Sequence, residues 1–266
     1  MPTTTNLTTP KALLLDFGGV IATTVSVPGW EESIALKVID LLSSAGLNPP
    51  ELSRIVADIQ AGRVADSHWK NSMSRFRAPK ELTYEEFWCE FVACDWEEAT
   101  RDVLREHASN LCLEMGRVRQ KRELRPGIVE LLEYCTAHNI PVAIASNALS
   151  GEVHREFLAA HDLSHLFVAE CYSDELAVRK PNPALLEAAA QACDVPIGEC
   201  WYVGDTLDRD VVAGQRAGIG ASVTMEVFTV GKPLYPSLTW LKPDVTVADP
   251  HALLSLLQTQ IGTVRL

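Results

Sequence analysis

The chain has 266 residues, of which 47% are hydrophobic and 22% charged, a composition typical of an ordinary globular protein with one or two domains. Acidic side chains outnumber basic ones by 35 to 23, a net charge of −12. This balance argues against partners such as nucleic acid or an anionic membrane, because binding to either depends on Lys and Arg neutralising phosphates. The negative net charge is still compatible with a small phosphorylated substrate, since a few local cations or a bound metal can make the electrostatic potential positive inside one cleft.

The N-terminus and the cysteines indicate the compartment. Residues 1–10 are rich in Thr, contain no basic side chain and are predicted to form a flexible tail. The apolar run that follows is too short for a signal sequence or a membrane span. The seven cysteines are odd in number, scattered and without a C-x-x-C pair, which favours reduced thiols. We therefore expect a cytoplasmic protein, either a monomer or a homodimer.

Short, unbroken apolar runs recur along the chain and predict strands that are buried on both faces, as in a parallel sheet. The first is Ala12–Leu15, which ends at Asp16 and is followed by two glycines. The later runs are 141–146, 166–171, 200–204, 221–225 and 244–248. Helical patterns separate them, for example Ile128, Leu131, Leu132 and Cys135 on one face. Strands that alternate with helices predict an α/β fold with a doubly wound parallel sheet.

Between about Ile21 and Glu123 the pattern changes to long, charged, aromatic-rich helical periodicities without clear strand runs. Helices are predicted near 31–44, 50–61, 84–93 and 98–112. This stretch is interpreted as an all-helical insertion after the first strand. The predicted division is a tail at 1–10, an α/β core at 11–22 and 123–266, and a helical cap at 23–122.

Polar side chains follow several of the predicted strands. Asp16 follows the first strand, Ser146 and Asn147 the second, and Asp205 the fourth, while Lys180 precedes a predicted helix. In an open α/β sheet these carboxyl ends form the binding edge. Two facing carboxylates predict a hard cation such as Mg²⁺, and a lysine with a hydroxyl suits phosphoryl oxygens. The free oxygen of Asp16 would then be able to attack phosphorus.

Four ordered motifs give the chain a resemblance to a known family. They are Asp16-Phe17-Gly18-Gly19-Val20, Ser146-Asn147, Arg179-Lys180-Pro181 and Gly204-Asp205-Thr206-Leu207-Asp208-Arg209-Asp210. In order, spacing and placement after predicted strands, the set resembles the haloacid dehalogenase-like hydrolases. The resemblance covers 11–22 and 124–248, and the helical insertion is similar to the family's C1-type cap.

The resemblance implies a role for each matching residue. Asp16 is expected to be the nucleophile and a Mg²⁺ ligand, Gly18 to offer its carbonyl to the metal, and Asp205 to be the second metal carboxylate. Ser146, Asn147 and Lys180 are expected to bind the phosphoryl group, with Ser146 and Lys180 also counted as catalytic. Asp210 is expected to support the metal site.

One position departs from the family's phosphatases. Their motif usually carries a second aspartate, the general acid and base, where this chain has Gly18. General acid–base catalysis contributes about 10²–10⁴-fold. A substrate with a good leaving group, a donor from the cap, a long-lived aspartyl phosphate and a loss of turnover all stay open as explanations. Some family members with Gly at this place resemble sugar-1-phosphatases.

The leading hypothesis is a Mg²⁺-dependent hydrolase of a small phosphorylated metabolite, with sugar phosphates among the candidates, that acts through an aspartyl phosphate on Asp16. The first alternative is a non-catalytic, phosphate-binding regulatory protein, suggested by Gly18. The second is a 2-haloacid dehalogenase, disfavoured because Asp205 keeps an acidic metal ligand and because Gly18 stands where that branch tends to have Tyr.

Overall fold

A computed structural model describes residues 7–227 and 234–264. The strands are, in chain order, β1 (Ala12–Leu15), β2 (Ala22–Ser26), β3 (Gln120–Leu124), β4 (Val142–Ser146), β5 (Ala169–Tyr172), β6 (Cys200–Gly204), β7 (Ala221–Met225) and β8 (Val245–Val247). The helices are α1 (Trp30–Ser44), α2 (Leu52–Met73), α3 (Glu98–Arg119), α4 (Ile128–Ala137), α5 (Glu152–Ala160), α6 (Ser173–Leu176), α7 (Ala184–Ala192), α8 (Val212–Ala217) and α9 (Pro250–Val264). Two short π-helical segments lie at Glu86–Val92 and Leu207–Val211, and 3₁₀ turns at Ser164–Leu166 and Ile197–Glu199.

Six of the strands form one parallel sheet in the order β5-β4-β1-β6-β7-β8. All four residues of β1 are fully buried, and their side chains alternate between two apolar clusters. Leu13 and Leu15 pack in the cluster that includes α4 and α9, whereas Ala12 and Leu14 pack in the cluster that includes α7. An apolar run without polar alternation is what burial on both faces requires. The predicted doubly wound parallel sheet is confirmed.

The chain between β2 and β3 is mainly helical and has its own apolar cluster, with Trp30, Trp88 and Leu104 among its buried members. The predicted helices are present, but α2 runs on to Met73 and α3 to Arg119, beyond their predicted ends. The predicted helix at 84–93 contains a π-helical segment. A separate core supports the predicted division into an α/β core and a cap at 23–122, and the boundaries themselves stay a prediction.

A two-stranded antiparallel ribbon joins this helical insertion to the sheet domain. It pairs β2 with β3, in a register that runs from Ala22 opposite Leu124 to Ser26 opposite Gln120. The prediction that no strands occur between Ile21 and Glu123 is therefore wrong at both ends of the insertion. After Ala22 the residues of β2 are exposed, and the half-buried positions of β3 are polar except for Leu124, so this ribbon has no apolar alternation in its sequence.

Residues 7–10, predicted as the end of a flexible tail, are instead attached to the sheet domain. Leu7 packs against the main apolar cluster, and the indole of Trp201 donates a hydrogen bond to the carbonyl of Thr8 at 3.0 Å. Residues 1–6 of the predicted tail lie outside the described residues. Across 7–227 and 234–264, no helix combines the length and the apolar character needed to cross a membrane.

Candidate active site

The polar residues predicted from the sequence meet at one edge of the sheet. Asp16 directly follows β1, Ser146 ends β4, and Asp205 directly follows β6, and β1 lies between β4 and β6. A cavity of about 690 Å³ opens at this edge. All of the predicted site residues line it, namely Asp16, Gly18, Ser146, Asn147, Lys180, Asp205 and Asp210. Residues far apart in the chain are thus brought together, as expected for the carboxyl ends of parallel strands.

Lys180 is the buried cation at the centre of this group, with a side chain that is only 2% exposed. Its Nζ lies 2.9 Å from Oδ1 of Asp16 and 2.7 Å from Oδ1 of Asp210. Nζ also donates to the hydroxyl of Tyr202 at 2.6 Å, and that hydroxyl donates to Oδ1 of Asp210 at 2.8 Å. Burial lowers the pKa of Lys180, but the two carboxylates outweigh this effect and raise it above its usual value. The lysine is therefore a fixed positive charge against Asp16.

Asp16 is held at several points. Its Oδ1 accepts a hydrogen bond from the backbone N–H of Phe17 at 2.8 Å in addition to the contact with Lys180, and the hydroxyl of Ser146, which lines the same cavity, favours the charged form of the carboxylate and so acts to lower its pKa. Burial raises the pKa of Asp16, and the nearby charge of Lys180 opposes this rise. This anchoring through Oδ1 orients the carboxylate toward the cavity that it lines.

Asp210 is satisfied by the protein itself. Its Oδ2 accepts hydrogen bonds from the backbone N–H of Asp205 at 3.2 Å and from the N–H and hydroxyl of Thr206 at 2.8 and 2.5 Å. Burial raises the pKa of Asp210, but Lys180 and the hydrogen bonds from Lys180 and Thr206 outweigh it, and the pKa lies below its usual value. With both oxygens engaged, Asp210 is suited to support the loop that carries Asp205.

Asp205 is the opposite case, a carboxylate that its surroundings do not neutralise. Within residues 7–227 and 234–264, no hydrogen-bond donor and no ion-pair partner contacts its side-chain oxygens. Burial, followed by the negative charges of Asp210 and Asp16, raises the pKa of Asp205 to about 7. One side-chain oxygen from each of Asp16, Asp205 and Asp210 lies within 4.8 Å of the other two. This geometry is that of a group able to hold a cation.

Two adjacent glycines shape the loop after Asp16. Gly19 has a φ of +74°, and a Cβ there would lie 2.5 Å from Oδ2 of Asp205, so this position admits only glycine. Gly18 differs, because a Cβ added at Gly18 would meet no atom within 4 Å. Position 18, where the resemblance to phosphatases led us to expect an acid, is therefore open space two residues after Asp16.

Asn147 has a different environment from the one expected of a phosphate ligand. Its Oδ1 accepts the backbone N–H of Lys180 at 2.7 Å, and its Nδ2 donates to the carbonyl of Lys180 at 3.2 Å. Both polar atoms of the side chain are thus bonded to the loop that carries the lysine, although the residue lines the cavity. These contacts suit a positioning role, and its predicted role in phosphate binding stays a prediction.

Sequence reasoning missed several residues that line or support the cavity. Arg125, only 5% exposed, donates from Nη1 to the carbonyls of Gly19 and Glu226 at 2.5 and 2.9 Å, and from Nη2 to that of Ala248 at 3.1 Å. It ties the glycine loop to two distant loops. No motif marks Arg125 or Tyr202, because their partners are distant in sequence, and only the fold identifies them.

His154, which no sequence motif marks, also lines the cavity. Its ring stacks on that of Phe17, with 3.9 Å between centroids and 8° between planes. Burial, followed by the positive charges of Arg122, Arg119 and Arg155, lowers the pKa of His154 to about 3. The imidazole is therefore neutral at physiological pH and packs as an aromatic side chain next to the residue that follows Asp16.

Comparisons with known proteins point to one family. The family model described as haloacid dehalogenase-like hydrolase matches residues 10–218. A phosphoserine phosphatase of Thermus thermophilus is 28% identical over 144 residues, which cover 54% of this chain and 55% of that protein. A phosphoglycolate phosphatase of Aliivibrio fischeri is 29% identical over 138 residues, 52% of this chain and 58% of that protein. The chain spans only part of these curated relatives, somewhat more than half of each.

Solved structures share the fold over nearly the whole chain. A β-phosphoglucomutase of Clostridium difficile aligns with a TM-score of 0.52, covering 96% of this chain and 98% of that one, at 16% identity. A hydrolase from Pseudomonas syringae aligns with a TM-score of 0.53, covering 93% and 98%, at 19% identity. At this level of identity the likeness is one of fold.

Proposed function

This chain belongs to the haloacid dehalogenase-like hydrolase family, and from that premise we propose that it is a Mg²⁺-dependent hydrolase of a small phosphomonoester, acting in the cytoplasm. The observation that carries the proposal is the grouping of Asp16, Lys180 and Asp205 around one cavity, with Lys180 Nζ 2.9 Å from Asp16. The names of the relatives, phosphoserine and phosphoglycolate phosphatases, support the same class of reaction. Its seven cysteines are free thiols, in keeping with the location proposed.

The donor set fits Mg²⁺. Hard cations prefer oxygen ligands, and the carboxylate of Asp205 has no other partner among the described residues, so its charge is available to a cation. We assign Asp16, Asp205 and the carbonyl of Gly18 as the groups that would hold the ion, with Asp210 supporting Asp205. When bound, Mg²⁺ would neutralise charge on the phosphoryl oxygens and help to orient them.

Asp16 is the proposed nucleophile. Its Oδ1 is held by Lys180 and by the N–H of Phe17, which leaves Oδ2 to form a bond to phosphorus as the ester P–O bond breaks and the leaving group departs as an oxyanion, which takes a proton from water. Water then attacks phosphorus, breaks the aspartyl phosphate, and releases inorganic phosphate with Asp16 restored. Lys180 offsets negative charge on Asp16 and on the transferred group, and the hydroxyl of Ser146, which lines the cavity, is available to the phosphoryl oxygens.

The open space at Gly18 bears on the choice of substrate. Without a side chain there, position 18 supplies no acid to protonate the departing oxygen. Esters that leave as stable anions, such as anomeric sugar phosphates or acyl phosphates, depend least on such an acid. We propose that the helical insertion, the expected C1-type cap at 23–122, encloses the site and selects among small phosphorylated metabolites.

The test is phosphate release from a panel of sugar, nucleotide and acyl phosphates. It is run with Mg²⁺, with EDTA, and with the Asp16→Asn variant. The matched control is Asp208→Asn, which makes the same change in the motif that follows β6. Release that requires both Mg²⁺ and Asp16, and survives in the control, supports the proposal. Full turnover by Asp16→Asn would refute it, and Mg²⁺ binding without turnover of any compound would favour the regulatory alternative.

A further inference from the structure

Two arginines lie at the junction between the helical insertion and the sheet domain, and both line the cavity that holds Asp16. Arg119 is the last residue of α3, and Arg122 is the third residue of β3. They are partly buried rather than spread over the outer surface. The reaction proposed above assigns them no task, because Lys180 already faces the nucleophile and the transferred phosphoryl group.

Neither guanidinium has a carboxylate partner within the part of the chain that the structure describes. Arg119 makes no side-chain hydrogen bond or ion pair there, and Arg122 makes one hydrogen bond, from Nη1 to the carbonyl of Gly116 at 3.1 Å. The Nε of each is buried and has no acceptor. By contrast, Arg101 and Arg117 on the same helix α3 each pair with two glutamates.

The two cations also disfavour each other. Burial, followed by the positive charges of Arg63 and Arg122, lowers the pKa of Arg119 to about 10, and burial lowers the pKa of Arg122. Taking a charge out of water without a partner is costly, and a chain with 35 acidic residues has many carboxylates that could have offset it. An unpaired, partly desolvated pair of cations lining a cavity is typical of a site that receives an anion.

The pair shares its cavity with the nucleophile and lies on the side of His154. Arg122 and Arg119 are, after burial, the main influences that lower the pKa of His154. The ring of His154 stacks on Phe17, the residue that follows Asp16. A small molecule whose phosphoryl group contacts Asp16 would therefore bring its other end toward the two guanidinium groups.

We propose that Arg119 and Arg122 form an anion subsite that selects phosphomonoesters carrying a second anionic group, a carboxylate or a second phosphate. This inference rests on the proposed function and narrows its substrate class. The planar guanidinium matches both anions, because its N–H donors pair with two oxygens at once. Neutral sugar phosphates would leave both cations unpaired in the filled cavity, and would bind less well for that reason.

The experiment compares three-carbon substrates that differ at one end. Glycerol 3-phosphate is neutral at that end, 3-phosphoglycerate carries a carboxylate, and glycerol 1,3-bisphosphate carries a second phosphate. We expect the wild type to favour one of the two doubly anionic compounds in kcat/KM, and which of them it favours identifies the second group. A wild type that favours glycerol 3-phosphate would overturn the inference.

Variants assign the preference to the arginines. In Arg119→Gln and Arg122→Gln, the ratio of kcat/KM for the preferred anionic compound over glycerol 3-phosphate should fall by about 10- to 100-fold, the usual loss for a charge-assisted hydrogen bond. Arg119→Lys and Arg122→Lys keep the charge and should retain part of the ratio. The matched control is Arg77→Gln, which removes the same charge from an exposed position outside the cavity lining. An unchanged ratio in both glutamine variants would overturn the inference.

A binding measurement separates this inference from the proposed function. Calorimetric titration of the Asp16→Asn variant with 3-phosphoglycerate, glycerol 1,3-bisphosphate and glycerol 3-phosphate needs no turnover. One outcome is that the wild type hydrolyses no compound, while Asp16→Asn binds the doubly anionic compounds more tightly and the added Arg119→Gln substitution abolishes this preference in affinity. In that case the proposed function fails and the subsite stands. If hydrolysis requires Asp16 but none of these affinities differs, the subsite fails and the proposed function stands.

Discussion

The buried ion pair between Glu81 and Arg179 makes a direct stability prediction. Glu81 belongs to the helical insertion, Arg179 immediately precedes Lys180, and their side chains are 5% and 2% exposed. Glu81 accepts the Nη1 of Arg179 at 2.5 Å through Oε1, and the hydroxyl of Ser173 at 2.5 Å through Oε2. This pair therefore joins the insertion to the sheet domain beside the proposed catalytic lysine.

The perturbation is Glu81→Gln, which removes the charge and keeps the shape. The guanidinium of Arg179 would then be buried without a carboxylate, facing the ring of Trp69 at 5.6 Å. Removing one partner of a buried ion pair costs about 3–5 kcal/mol. Because Gln keeps a carbonyl oxygen as an acceptor, we expect the free energy of unfolding to fall by about 3 kcal/mol, the lower end of that range. For a chain of this size that corresponds to a fall in Tm of about 6–12 °C.

The assay is thermal and urea unfolding of the variant beside a matched control. Glu199→Gln removes the same charge from an exposed pair, in which Lys11 and Glu199 are 65% and 43% exposed. That control should lose no more than about 1 kcal/mol. A double variant, Glu81→Met with Arg179→Met, should recover most of the loss, because it leaves no orphaned charge. If the free energy of unfolding of Glu81→Gln lies within about 1 kcal/mol of the wild-type value, this pair does not stabilise the fold as a buried ion pair should, and the prediction is refuted.

Three further predictions concern the site itself. The Asp of Gly18→Asp fits the open space at position 18, and the variant should raise kcat for esters with poor leaving groups by about 10- to 100-fold, with little gain for acyl phosphates. Steady-state kinetics on a series of leaving groups would measure this gain. An equal gain for every leaving group would contradict a role for the new side chain as an acid. Gly19→Ala places a methyl group 2.5 Å from Oδ2 of Asp205 and should weaken Mg²⁺ binding as measured by calorimetry. The matched control is Gly46→Ala, which also introduces alanine at a positive φ but meets no atom within 4 Å, so it reports backbone strain alone. Because the pKa of Asp205 is raised to about 7, protons compete with Mg²⁺ for its carboxylate, and the ionised fraction falls from about one half at pH 7 to about one eleventh at pH 6. The affinity for Mg²⁺ should therefore fall about five- to sixfold between pH 7 and pH 6. The Asp205→Asn variant should lack this dependence, and a wild type with equal affinity at both pH values would refute the prediction.

Local patterns predicted the sheet domain well. The strands at 200–204 and 221–225 have the predicted bounds, because buried parallel strands are continuous apolar runs that glycines or charges interrupt. The carboxyl ends of the first, second and fourth predicted strands also predicted that Asp16, Ser146 and Asp205 would meet, since parallel strands end on the same side of a sheet. Such inferences need no knowledge of distant contacts.

What the sequence did not predict depends on contacts between distant residues. The ribbon of β2 and β3 has no apolar period in its sequence, and it forms through pairing between strands that lie about 100 residues apart in the chain. The partner of Glu81 lies 98 positions away, and no local pattern connects them. Arg119 and Arg122 look like ordinary surface charges on a helix end and a strand, and only the fold brings them to the cavity without acidic partners.

The central claim is that Asp16 attacks phosphorus and carries the phosphoryl group. The most direct measurement mixes the protein with Mg²⁺ and an acyl phosphate that it hydrolyses, and quenches the reaction in acid within one turnover. The quenched protein is then treated with borohydride. Borohydride reduces an aspartyl phosphate to homoserine, which peptide mass spectrometry locates by position. The account predicts homoserine at position 16, and none in Lys180→Met, where the charge that offsets Asp16 is absent. Turnover with Asp16 unmodified at every quench time, or homoserine at another aspartate, would contradict it.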